Sequence, residues 1–63
     1  MRWTEHEAKW TANGRRGDYS IYRSDKAYLT LNAVTLVGSD IQELGGFANR
    51  RVAVKFAELT ELG

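Results

Sequence analysis

The sequence predicts an α+β domain: a three- or four-stranded antiparallel sheet packed on one C-terminal helix. Three observations lead there. Tyr19, Ile21 and Arg23 alternate with Asp18, Ser20 and Tyr22, and Ala27, Leu29 and Leu31 alternate with Tyr28, Thr30 and Asn32, the period of two that a half-buried strand imposes. Leu44-Gly45-Gly46-Phe47 then reads as the last strand or turn of the sheet, leading straight into a helix. In that helix Val52, Phe56 and Leu59, with Ala53 and Thr60, recur on one face at a spacing of 3.6 residues.

The elements follow in order along a single domain, residues 1–63, with the sheet over about 9–47 and the helix over about 50–62. Residues 4–10 admit two readings, a helical turn opened by the capping box Thr4-x-x-Glu7 or a strand from about Lys9, where Trp10 and Ala12 alternate; the strand is favoured. Asn13-Gly14-Arg15-Arg16-Gly17 is its loop, and Ser24-Asp25-Lys26 is turn-like, which makes the two middle strands an antiparallel hairpin. After Asn32 the apolar phase moves to Val34 and Leu36, implying either a bulge near Asn32-Ala33 or a tight turn into another strand. Ser39-x-x-Gln42 repeats the ambiguity of the N-terminus over 39–44. Asn49 is the expected helix cap, and the outer helix face carries Arg50, Arg51, Lys55, Glu58 and Glu61, with Val54 standing alone among them.

Composition narrows the function. A chain of 63 residues hides only about 60% of its unfolded surface, so its core is one thin layer. There are no cysteines to staple it, which fits a reducing cytoplasm. No apolar run approaches the roughly 20 residues of a membrane-spanning helix, so no membrane partner is expected. The net charge of +1 permits nucleic acid without demanding it, although Arg2, Lys9, Arg15, Arg16, Arg23 and Lys26 all precede Asn32.

Chemistry-bearing constellations are missing from the pattern. The single histidine, in Glu5-His6-Glu7, has neighbours that splay apart, whereas a metal wants about three or four convergent ligands. Ser20, Ser24 and Ser39 lack an elbow motif and an oriented base. Gly14-Arg15-Arg16-Gly17 has neither the P-loop nor the dinucleotide glycine spacing, and reads as a hairpin loop whose arginines keep an edge soluble. Arg16-Gly17-Asp18 matches the integrin tripeptide by chance, there being no export signal. No enzyme, cofactor, metal or small-molecule substrate is expected. Arg50 and Arg51 stand out because cations in a first helical turn oppose the macrodipole by about 0.3–1 kcal/mol each, which a bound phosphate would offset.

Gly17-x-Tyr19-x-Ile21, followed by Leu44-Gly45-Gly46-Phe47, Ala53 and Phe56, resembles the pattern of AP2-type DNA-binding domains and of the arm-binding domains of tyrosine integrases. Small phage and prophage proteins share the same Trp, Gly-x-Tyr, Gly-x-Phe and Ala-rich-helix outline. The resemblance covers roughly residues 10–60 and implies a sheet whose open face lies in a DNA groove. Carried over, it implies phosphate contacts from Arg15, Arg16, Arg23 and Lys26 and base contacts from Tyr22, Tyr28 or Asn32 on an outer face that also holds Asp18, Ser20 and Thr30. With Arg50 and Arg51 these make the candidate site.

The expectation is therefore a non-catalytic binding module of phage or mobile-element type, with DNA as partner through the open sheet face and hairpin loops. The alternative partner is a host protein, met through the same face or through the flank of the helix at Val54–Leu62. A symmetric homodimer burying Val54 and Leu62 would relieve the small core.

Overall fold

The computed structural model describes residues 1–26 and 29–63, and their side chains other than those of Lys26, Leu29 and Thr30. The sequence expectations for Ala27 and Tyr28 lie outside the described residues. The fold is α+β, with five strands in place of the three or four expected: β1 (Thr4–Glu5), β2 (Lys9–Asn13), β3 (Asp18–Lys26), β4 (Leu29–Val37) and β5 (Ile41–Phe47), followed by α1 (Arg50–Leu62). The sheet is antiparallel throughout and its spatial order equals its chain order.

The extra strands come from the two segments that the sequence left ambiguous. Thr4 and Glu5 pair with Thr11 and Trp10 rather than capping a helical turn. The N-terminal segment then docks on α1, with the Trp3 indole N–H donating to Glu58 Oε2 at 3.3 Å and the terminal amine 3.7 Å from the same oxygen. Residues 41–47 form the fifth strand, which decides for the strand where the sequence admitted a strand or a turn.

Register fixes which side chains meet the helix. Paired residues of an antiparallel sheet share a face, so Ala12, Tyr19, Leu36 and Gln42 form one row on the helix side, and Trp10, Ile21, Val34 and Gly45 the next. Tyr19, Ile21, Val34 and Leu36 are the buried centre, closed by Ala53 and Ala57 of α1 and flanked by Trp3, Trp10, Leu44, Phe47 and Val54.

Three expectations are corrected here. First, β4 runs without a break through Asn32-Ala33; the irregularity lies in its pairing with β5 at Val34/Thr35, where Glu43 opposes Thr35 and Gly45 opposes Val34, leaving Leu44 extra. The apolar phase changes for another reason. A helix of 13 residues spans about 20 Å, whereas the nine-residue strands β3 and β4 span about 30 Å. Beyond the helix the same sheet face turns polar on β3 and β4, where Asn32 pairs with Arg23 on the helix side and not on the expected outer face. Second, Ser24-Asp25-Lys26 is strand, with Lys26 opposite Leu29.

Third, the helix is rotated from its expected orientation. Ala53 and Ala57 are fully buried, whereas Val52, Phe56 and Leu59 are 46%, 37% and 58% exposed. Two alanines let the helix axis approach the sheet closely, and the larger side chains are displaced to its β5 flank, where Phe56 keeps a ring contact with Phe47 at 4.9 Å. Val54, expected alone on the outer face, packs against the core. Asn49 caps as expected, its Oδ1 accepting the Val52 N–H at 3.0 Å.

Candidate binding site

The two ends of α1 hold different chemistry. At the N-terminal end no acidic side chain occupies the first turn, so nothing of opposite charge answers the free N–H groups there. Arg50 lies over the ring of Trp10, 4.1 Å from its centroid, close enough for a cation–π contact. Trp10 projects from β2 opposite Ile21, and the next helix-side pair outward is Arg23 and Asn32. Asn32 Nδ2 donates to the Phe47 carbonyl at 3.4 Å and so ties β4 to the end of β5.

The side chains of Trp10, Arg23, Asn32 and Arg50 border a cleft of about 250 Å³, with the β1–β2 connection from Glu5 to Lys9 as its rim. On the far side of Trp10 a broader hollow is lined by Trp3, Asn49, Arg50, Arg51 and Val54. Among the described residues no ion pair holds Arg23, Arg50 or Arg51. Glu5 and Glu7 share the rim with Lys9, while Arg23 and Arg50 line the opposite wall and Arg51 the adjoining hollow.

At the C-terminal end of α1 the arrangement is closed. Glu61 reaches the β2–β3 loop, where its Oε2 accepts the Arg15 backbone N–H at 2.5 Å and its Oε1 accepts the Tyr19 hydroxyl at 3.0 Å and, at the limit, the Arg16 N–H at 3.4 Å. Arg15 Nε lies 3.4 Å from Oε2, and Arg15 Nη2 donates to the Glu61 carbonyl at 2.8 Å. The Arg15 N–H, aided by the Tyr19 hydroxyl, holds the Glu61 carboxyl below its usual range. Burial, together with that same hydrogen bond and charge, pushes the Tyr19 phenol up. Two glycines permit the closure. A Cβ on Gly14 would stand 2.6 Å from Glu61 Oε1, and Gly17 combines φ +142° with a backbone packed against the Val37 carbonyl.

The open face of the sheet is neutral and hydroxyl-rich. Thr4, Thr11, Ser20, Thr35 and Glu43 form one row across all five strands, and Lys9, Tyr22, Ala33 and Gly46 line up beside it. His6 Nε2 and Thr11 Oγ1 share a hydrogen bond of 2.8 Å at its edge. Among the described residues no group of three His, Cys, Asp or Glu side chains is placed to hold a metal, and no helix is long and apolar enough to cross a membrane.

The predicted residues thus divide. Arg23, Asn32 and Arg50 meet in one cleft, Arg51 borders the adjoining hollow, and Tyr22 belongs by register to the open face beside Lys9 and Ala33. Arg15 and Arg16 lie at the opposite end against Glu61, Lys26 is placed by backbone register only, and Tyr28 lies outside the described residues. Sequence reasoning missed Trp10 as the platform under Arg50 and missed Glu61, whose partner Arg15 lies 46 positions away. Comparison with protein families, with curated proteins and with solved structures finds no match to the chain.

Proposed function

We propose that this chain is a non-catalytic, cytoplasmic nucleic-acid-binding module, of the phage or mobile-element type its AP2-like pattern suggests, that grips DNA at the Trp10–Arg50 end of the sheet. The observation that carries this reading is the convergence of Arg23, Asn32 and Arg50 on one cleft beside Trp10, with Trp3 lining the adjoining hollow. Cations that no carboxylate pairs among the described residues give backbone affinity, an amide can read a base edge, and half-buried aromatic rings offer an edge or face to a base. The broad open face is a poorer candidate, since one central row carries hydroxyls and a carboxylate and the row beside it a single cation, Lys9.

The test is fluorescence anisotropy of labelled duplex and single-stranded oligonucleotides across a salt series. Log affinity should fall with log salt by about 0.9 per phosphate contact for duplex and about 0.7 for single strands. Replacing Arg23 and Arg50 with alanine should remove about two contacts' worth of slope, whereas Arg15→Ala should leave the slope unchanged because Glu61 already occupies that guanidinium. Absence of binding at about 50 mM salt, where electrostatic binding is strong, rejects the reading.

A second reading, protein binding, draws on one separate observation: Val52, Phe56 and Leu59 expose an apolar stripe along the β5 flank of α1. Val52→Asp together with Leu59→Asp would abolish such binding and leave DNA affinity intact.

A further inference from the structure

We propose that the β2–β3 loop, residues 14–17, is an oxyanion receptor that the chain keeps closed with its own Glu61 carboxylate. Four donors converge on that one group: the backbone N–H groups of Arg15 and Arg16, the Arg15 guanidinium and the Tyr19 hydroxyl. The two backbone donors address different oxygens of the carboxylate, Arg15 on Oε2 and Arg16 on Oε1, so the loop matches a two-oxygen face rather than a point charge. The oxygen lies where a side chain on residue 14 would stand, since a Cβ there would come within 2.6 Å of Oε1 and 2.7 Å of Tyr19 Cε2. Bare backbone approached by an anion, with consecutive N–H groups turned inward, is how protein loops cradle phosphate and sulfate.

Tyr19 supplies the rigid floor. It is fully buried, and its hydroxyl is held toward the loop by the packing of its ring. Glu61, in contrast, sits in the last turn of α1, close to the C-cap at Gly63, where helices fray. The receptor is built into the sheet and its occupant is carried on a separate element, the last turn of α1. Lifting that turn exposes four oriented donors and both arginines to an external oxyanion. Under the nucleic-acid reading, on which this last step rests, the external ligand is a backbone phosphate, and the arginines that the sequence assigned to phosphate are held in reserve.

The experiment follows amide chemical shifts during titration with sodium sulfate, using sodium chloride at equal ionic strength as the reference. In Glu61→Ala the N–H signals of Arg15, Arg16 and Gly17 should shift saturably, with affinity at least tenfold above that of the wild type. Adding Gly14→Ala to Glu61→Ala should abolish the response, because the new methyl takes the place of the bound oxygen. Identical responses in wild type and Glu61→Ala, or no saturable shift in Glu61→Ala, overturn the proposal. Should Glu61→Ala be unfolded in chloride, recovery of its native spectrum by sulfate, lost again with Gly14→Ala, supports the receptor, and failure to recover overturns it. A short oligonucleotide provides the separate arm: sulfate binding without oligonucleotide binding keeps the receptor and rejects nucleic acid as the source of its ligand.

Discussion

The two ends of α1 carry arginines in opposite circumstances. At the C-terminal end Arg15 is neutralised by Glu61, and the loop that presents it is pinned to the helix by hydrogen bonds to the same side chain. At the N-terminal end Arg50 rests on an aromatic ring, Arg23 faces an amide, and no carboxylate pairs with either among the described residues. The difference shows that a basic residue in a small domain cannot be assigned to a ligand from its type or from its place in a loop. What matters is whether the fold has already supplied an anion. By that criterion the closed end acts in stability and the open end is left for recognition.

The comparison can be broken most severely in the core beneath the closed end. Tyr19 has no exposed surface, and truncating a buried aromatic costs about 3–5 kcal/mol. A domain of this length has a total stability of about 3–9 kcal/mol. Tyr19→Ala is therefore expected to be largely unfolded by circular dichroism, and it also removes the floor of the Glu61 contact. Phe56→Ala should be much milder, because that ring keeps more than a third of its surface in solvent and touches chiefly Phe47. A Phe56→Ala protein that unfolds as completely as Tyr19→Ala would mean that the helix sits on the sheet chiefly by Val52 and Phe56 and not by Ala53 and Ala57.

That pair of residues also marks how far the fold could be read from sequence. Alternation located β3 and β4, Asn49 located the start of α1, and the register places Tyr19, Ile21 and Tyr22 on the faces their phase implied. Alternation failed where one strand passes out from under the helix: the change of phase at Asn32 read as a bulge or a tight turn but reflects a cover shorter than the strand beneath it. Periodicity gave the helix its apolar arc without its centre, because hydrophobicity ranks Val52 and Phe56 above Ala53 and Ala57, while close packing on a sheet rewards small side chains. Glu61 was illegible for a different reason. Its role depends on a contact spanning almost the whole chain, and no local spacing encodes it.

The closed end is next in expected effect and responds to pH. The groups facing the Glu61 carboxyl are Arg15, Arg16 and Tyr19, with Glu58 one turn earlier paired to the N-terminal amine. A carboxyl whose folded pKa is lowered contributes stability that is fully present above its ordinary value of 4.5 and is lost as pH falls through the lowered value. The Tyr19 phenol has the opposite sign: its raised folded pKa gives a contribution present below 10.0 and lost as pH rises through the folded value. Denaturant midpoints of wild type and Glu61→Gln should differ at neutral pH and converge under acid. Parallel curves down to about pH 3 would mean that the contact adds nothing to stability.

Arg50 should give the smallest change in stability and the sharpest separation of the two ends. Two effects of similar size act on it with opposite sign. Its contact with the Trp10 ring favours the folded state by about 0.5–1 kcal/mol at an exposed site. Its position at the first residue of α1 opposes the helix dipole by about 0.3–1 kcal/mol. Alanine forfeits the first and relieves the second, at a position where arginine and alanine differ little in helix propensity. The net change should fall within about 0.5 kcal/mol, and for a domain of this size 1 kcal/mol moves the melting temperature by only about 4–8 °C, so Arg50→Ala should melt within about 4 °C of wild type. Its oligonucleotide affinity should nevertheless lose one contact's share of salt dependence, about 0.7 for single strands. Arg15→Ala should behave in the reverse manner, lowering the melting temperature through the loss of its Glu61 contacts while leaving the salt slope alone. If Arg50→Ala were strongly destabilising with an unaltered slope, Arg50 would be a structural clasp like Arg15, and the open end would no longer be distinguished from the closed one.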